Sequence, residues 1–213
     1  MRLPLLLCFL STFAWAQDSS ELNIETELDS ISNATEANAF LKKNSKLKGK
    51  IVVYNAEKHK TKLADELFEL GTGGKKTYKN EFETTHYKVI KRDMVPHYRA
   101  SIIMFDSKIQ PMSEINSLRS FILKGMREGG HDFSGLAKVY SKDRSAKTGG
   151  DLGWLKKGSM SKRFEKILAD HKVGQVFSFD EPREKRHYVM LKSEADKPIE
   201  EITVLKITEK TSR

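Results

Sequence analysis

The stretch at 141–160, SKDRSAKTGGDLGWLKKGSM, limits what this chain can fold into more than any other segment. Gly149, Gly150 and Gly153 crowd into a region otherwise rich in lysine. Glycine is the default residue where the backbone must turn sharply or approach another backbone closely, because a Cβ would clash there. Leu152, Trp154 and Met160 in the same stretch are not the residues of a plain solvated loop. Together they predict a tight turn that aims Leu152 inward.

The N-terminus reads as a targeting segment. Arg2 supplies charge, residues 3–16 are nearly all apolar, and Ala14 and Ala16 precede a cut before Gln17. A signal peptide at 1–16 predicts export, with the periplasm as destination. Cys8 is the only cysteine and leaves with it. The remaining chain then has no disulfide, no thiolate nucleophile and no cysteine metal site. No apolar run reaches the ~18 residues that span a bilayer. The formal charge is +9, but the lysines are scattered and no nucleic-acid motif accompanies them, so no nucleic-acid partner is expected. His59, His86, His97, His131 and His171 show no metal-ligand spacing, and neither a metal nor a cofactor is expected. The GTGGKKT stretch at 71–77 lacks the spacing of a phosphate loop and reads as a helix end and turn.

Apolar periodicity divides the chain into two parts. Residues 17–95 read as a small α/β unit. It has a short helix over 35–44, a β-branched strand at 50–54, a helix with Leu63, Leu67, Phe68 and Leu70 on one face, and a second strand at 85–90. Asn55 is placed to cap the second helix, and Gly71 to end it. Pro96 marks a boundary. After it come a central strand at 98–105, a helix capped by Ser113 with Ile115, Leu118, Ile122 and Met126 on one face, and a short helix capped by Asp132. The glycine loop follows, then a helix carrying Phe164, Ile167 and Leu168. A hairpin pairs 176–179 with 187–191. Residues 194–213 read as a tail with one possible strand at 202–207. The fold class is therefore α+β: a small, largely antiparallel sheet packed with helices, preceded by the α/β unit.

That element order, with Gly130-x-Asp132-Phe133-x-x-Leu136-Ala137, Ser141 to Lys147, Gly149-Gly150-Asp151-Leu152-Gly153-Trp154, Lys157-Gly158-x-Met160, Phe164 and Gly174-Gln175-Val176, resembles the parvulin (PpiC-like) peptidyl-prolyl cis-trans isomerases over 96–193. With the N-terminal unit, the chain looks like the envelope foldases of Gram-negative bacteria. The resemblance implies an isomerase that assists folding of exported proteins without a cofactor. Its partners would be unfolded or extended proline-containing polypeptides. By the family pattern, Leu152, Met160 and Phe164 line the pocket for the proline ring, Asp143 stands beside the substrate carbonyl, and His187 is the second of two paired histidines. The first is replaced by Ile102. Two readings stay open: an isomerase in which the histidine pair is dispensable, and a weak or inactive parvulin-like chaperone that binds extended clients.

Overall fold

The computed structural model describes residues 23–210; the expected signal peptide at 1–16 lies outside them. Two very long strands organise the molecule. β3 (Glu83–Asp106) and β6 (Arg186–Lys210) pair antiparallel along their whole length, from Glu83 opposite Lys210 to Asp106 opposite Arg186. At about 3.3 Å per residue each runs for roughly 80 Å of chain. Three register irregularities interrupt the ladder, two of them between His97 and Ala100.

Shorter strands widen this ribbon differently at its two ends. At one end β4 (Asp151–Lys156) pairs with β3 and β5 (Val176–Glu181) with β6. Side chains alternate between faces along a strand, so neighbouring residues of β3 serve different cores. Ile102 joins Tyr98, Tyr188 and Met190 beneath α6 (Lys162–Ala169), which contributes Phe164 and Leu168. Ile103, Phe105 and Val189 face α4 (Met112–Arg127) and α5 (Phe133–Tyr140), which supply Ile115, Ile122 and Phe133.

At the other end β1 (Lys48–Asn55) pairs with β6, and β2 (Lys75–Lys79) with β3. Here α1 (Ile24–Asp29) and α2 (Ala34–Lys43) pack Ile24, Leu28 and Phe40 onto Ile90, Leu205 and Ile207. On the opposite face, α3 (Lys62–Glu69) packs Leu67 onto Val89, Ile202 and Val204. The residues read as a C-terminal tail thus include the part of β6 that lies between β1 and β3.

Pro96 stands opposite Pro198 where the two ends meet. Neither proline can donate to the ladder, and two of the three register irregularities lie just after Pro96. The chain nevertheless crosses this waist in extended form. Beside it Asn55 is buried, donating to Glu201 Oε1 at 3.1 Å and lying 3.1 Å from His97 Nε2. Asn55 is therefore not the cap of α3; Thr61 is, through its hydroxyl on the Ala64 N–H. Ser113 is also displaced from its expected role. α4 begins at Met112, two residues earlier than that cap implies, after Pro111 and with no side-chain cap. Asp132 does cap α5, accepting from Gly135 N–H at 2.8 Å.

Candidate functional site

The glycine loop lies along the edge of β3. Lys142 N–H donates to Met104 O at 2.8 Å, Met104 N–H to Ser141 Oγ at 3.1 Å, and Ile102 N–H to Gly150 O at 2.9 Å. Between these anchors Asp143 caps a short 3-10 turn (Arg144–Thr148). Its Oδ1 accepts from the Ser145 N–H at 2.8 Å and the Ser145 hydroxyl at 2.7 Å. Gly150 has φ +82°, and a Cβ there would sit 2.4 Å from the Ile102 carbonyl oxygen. Backbone, not a yielding side chain, forbids any other residue. Gly150→Ala is expected to cost about 2–4 kcal/mol, combining left-handed strain with the clash. Gly158, at φ +90° with open space around it, should cost only the strain, about 1–2 kcal/mol. Urea midpoints of the two alanine variants check this; equal losses would contradict the close seating of the loop.

Gly153 works differently. Nothing crowds it, but its φ is +67° and it sits where the β3–β4 ladder shifts register between Arg99 and Ser101. The extra residue of this bulge breaks alternation. Leu152 and Leu155 consequently both pack on the cluster containing Phe164. Trp154 instead pairs opposite Arg99 and carries Lys197 Nζ 4.4 Å from its ring centroid. Asp151 pins the bulge: its Oδ1 accepts from Gly153 N–H at 2.8 Å, and its Oδ2 meets Arg99 at 2.6 Å. The Arg99 guanidinium holds this carboxyl below the usual aspartate range.

Five aromatic rings belong to the cluster that Leu152 joins: Tyr98, Phe164, Phe177, Phe179 and Tyr188. Phe164 is 3% exposed and meets Phe179 edge-to-face at 6.0 Å and Tyr98 at 6.4 Å; Phe179 stacks on Tyr188 at 5.7 Å. Ile102 is in the same cluster. Met160 is not. It is 38% exposed, on the turn before α6, so its spacing of four from Phe164 is not a helical repeat. Glu165 Oε1 ties that turn down, accepting from Gly158 N–H at 2.7 Å, Met160 N–H at 3.3 Å and the Tyr98 hydroxyl at 3.0 Å.

His187 is not brought to this face. Ile102 pairs with Met190, and Tyr188 and Met190 share its cluster, whereas Val189 faces α4 and α5. By alternation His187 falls with Val189. Its ring lies 2.8 Å from Asp180 Oδ1 and 3.1 Å from Ser107 Oγ, and Arg119 of α4 donates to the same Asp180 oxygen at 2.9 Å. Tyr188 is what β6 presents beside Phe179. Sequence does not single out Tyr188, Phe179 and Tyr98, because strand type alone does not fix which residues share a face with residue 102. The structure brings Leu152 and Phe164 together, keeps Met160 at the rim and Asp143 on the adjoining loop, and leaves His187 on the far side of the sheet.

Residues 84–183 match the family described as the PPIC-type PPIASE domain. Over 55 residues the chain is 51% identical to the foldase protein PrsA of Geobacillus kaustophilus (strain HTA426), covering 25% of this chain and 20% of that protein. Over 70 residues it is 36% identical to the chaperone SurA of Chromobacterium violaceum, covering 33% of this chain and 15% of that protein. The crystal structure of PrsA from Bacillus subtilis covers 46% of this chain and 35% of its own, with 31% identity and a TM-score of 0.38. The matches therefore span a fifth or less of the length of these two curated relatives. Residues 84–183, from inside β3 to the turn after β5, belong to the PPIC-type, or parvulin, family of peptidyl-prolyl isomerases.

Proposed function

We propose that this protein is a folding factor of exported polypeptides that catalyses rotation about X-Pro bonds, with the proline ring taken against Leu152 and Phe164. The observation that carries the reading is the glycine-seated loop, whose Gly153 bulge turns Leu152 onto the apolar cluster of Phe164. The foldase and chaperone names of the relatives support the class of activity. The reaction breaks no covalent bond. Its barrier of roughly 18–20 kcal/mol is amide resonance, and each ~1.4 kcal/mol of preference for the twisted amide raises the rate tenfold. Twisting confines the nitrogen lone pair and withdraws charge from the carbonyl oxygen. A dry apolar face favours that less polar form, and Asp143, on the adjoining loop, is placed beside the carbonyl in this reading. Residues 1–16 would direct export.

A second reading is favoured by one observation. On the central strands Ile102 and Tyr188 face the cluster while His187 lies on the other face, and Phe164, Phe179, Tyr98 and Tyr188 pack against one another. A domain built this way would hold proline-containing chains rather than turn them over.

NMR exchange between cis and trans forms of Ala-Pro and Glu-Pro peptides separates the two. The isomerase reading expects catalytic amounts of protein to accelerate exchange. Asp143→Asn retains a good N-cap and should lower the acceleration about tenfold while leaving the unfolding midpoint nearly unchanged. No acceleration of either peptide by folded protein, together with suppression of client aggregation, would establish the holding reading instead. An unchanged rate in Asp143→Asn would remove the carboxylate from the mechanism.

A further inference from the structure

Beside the aromatic cluster lies a cavity of about 500 Å³ lined by Ser161, Arg163, Glu181, Pro182, Arg183 and Glu184. It opens between the start of α6 and the turn after β5, and its walls are largely carbon. Arg163 joins it to the cluster, with its guanidinium 5.5 Å from the centroid of the Phe179 ring. The two acids in its wall are already engaged: Glu181 Oε1 accepts from the Ser161 hydroxyl at 2.6 Å, and Glu184 pairs with Arg186 at 2.8 Å. The two arginines hold no acid. Among the described residues, neither Arg163 nor Arg183 has a carboxylate partner. Lys162 and Lys185 flank them in sequence.

We propose that this cavity is a subsite for an acidic side chain of the bound polypeptide, next to the residue seated on Leu152 and Phe164. The inference rests on the reading that this apolar face takes a proline. A planar guanidinium matches a carboxylate with two parallel N–H bonds, a geometry that lysine does not offer. Carbon walls reduce competition from water, and the open mouth leaves the attraction sensitive to salt. The engaged glutamates repel a second acid less than free ones would, and the free arginines set the sign of the preference. Proline-containing clients with glutamate or aspartate beside the proline are thus the favoured class over those with lysine.

The test is an NMR titration of the protein with short peptides carrying Glu, Gln or Lys immediately before or after a single proline. Arg163 and Arg183 Nε–H signals report the subsite, and Leu152 and Met160 methyl signals report the proline. At low salt, one of the Glu peptides should bind about fivefold more tightly than its Gln counterpart, and more tightly still than the Lys peptide. The advantage should shrink at about 0.5 M salt and vanish in the Arg163→Gln/Arg183→Gln double variant. Methyl shifts without any preference for Glu would overturn the subsite alone. Absence of methyl shifts with every peptide would overturn the proline reading and the subsite with it. Free glutamate filling the site as well as the peptide does would also overturn it, since the arginines would then bind any small anion.

Discussion

Ending the chain at Ala195 is expected to unfold the end of the molecule built from α1, α2, α3 and β1 while leaving the glycine loop and α4 to α6 folded. Among the described residues, the removed part of β6 is the only strand that pairs with β1, from Lys48 opposite Thr208 to Asn55 opposite Glu201. It also carries fully buried side chains to both faces: Leu205 and Ile207 to the helices α1 and α2, and Ile202 and Val204 to α3. What would remain is the β2–β3 hairpin with helices that have lost their floor, and an isolated two-stranded hairpin is marginal at best. Limited proteolysis and amide NMR read the outcome. Rapid cleavage between residues 23 and 82, with dispersed signals kept over 97–194, is expected. If both ends stay folded, residues 197–210 are not needed as the central strand, and the two-ended organisation proposed here fails.

Phe164→Ala should be the most damaging single substitution at the site, costing about 3–5 kcal/mol by loss of burial and opening of a cavity between Phe179 and Tyr98. Against a typical total of ~5–15 kcal/mol that is a large share of stability. The same change should abolish acceleration of X-Pro exchange. Loss of rate could then reflect unfolding alone, so Phe164→Leu is the informative partner. It keeps an apolar filling and should cost about 1.5 kcal/mol or less. Urea unfolding and peptide exchange on both variants decide between roles. A stable Phe164→Leu protein with full isomerase activity would show that the ring serves the core only; a stable protein with reduced activity would place it at the substrate.

Much of the candidate site could be read from the residues because its signals are local. Positive φ favours glycine, and all three loop glycines take it. The apolar spacing of Ile115, Ile122, Phe164 and Leu168 marks helix faces that are in fact buried. The hairpin pairs Val176 with Leu191 as its composition suggested. Asn55 and Ser113 are good capping residues by type, yet the Asn55 oxygen accepts from Glu57 and Lys58 N–H in the turn before α3, and the start of α4 after Pro111 passes over Ser113. β2, KKTYK, has no apolar alternation, and only its pairing with β3 makes it a strand.

Long-range pairing was not legible in the same way. Pro96 reads as a boundary between two strands, but β6 supplies partners on both sides of it and β3 continues from Glu83 to Asp106. Sequence alone determined the loop, the helix faces and the α+β class, because each follows from φ preferences or from periodicity within a dozen residues. Only the tertiary structure decided that residues 197–210 form an inner strand, that Gly153 turns Leu152 and Leu155 to one side, and that Tyr188 rather than His187 faces Ile102. Those outcomes depend on register between segments far apart in sequence, from Arg99 with Trp154 to Lys48 with Thr208, where a shift of one residue exchanges the two faces of a strand.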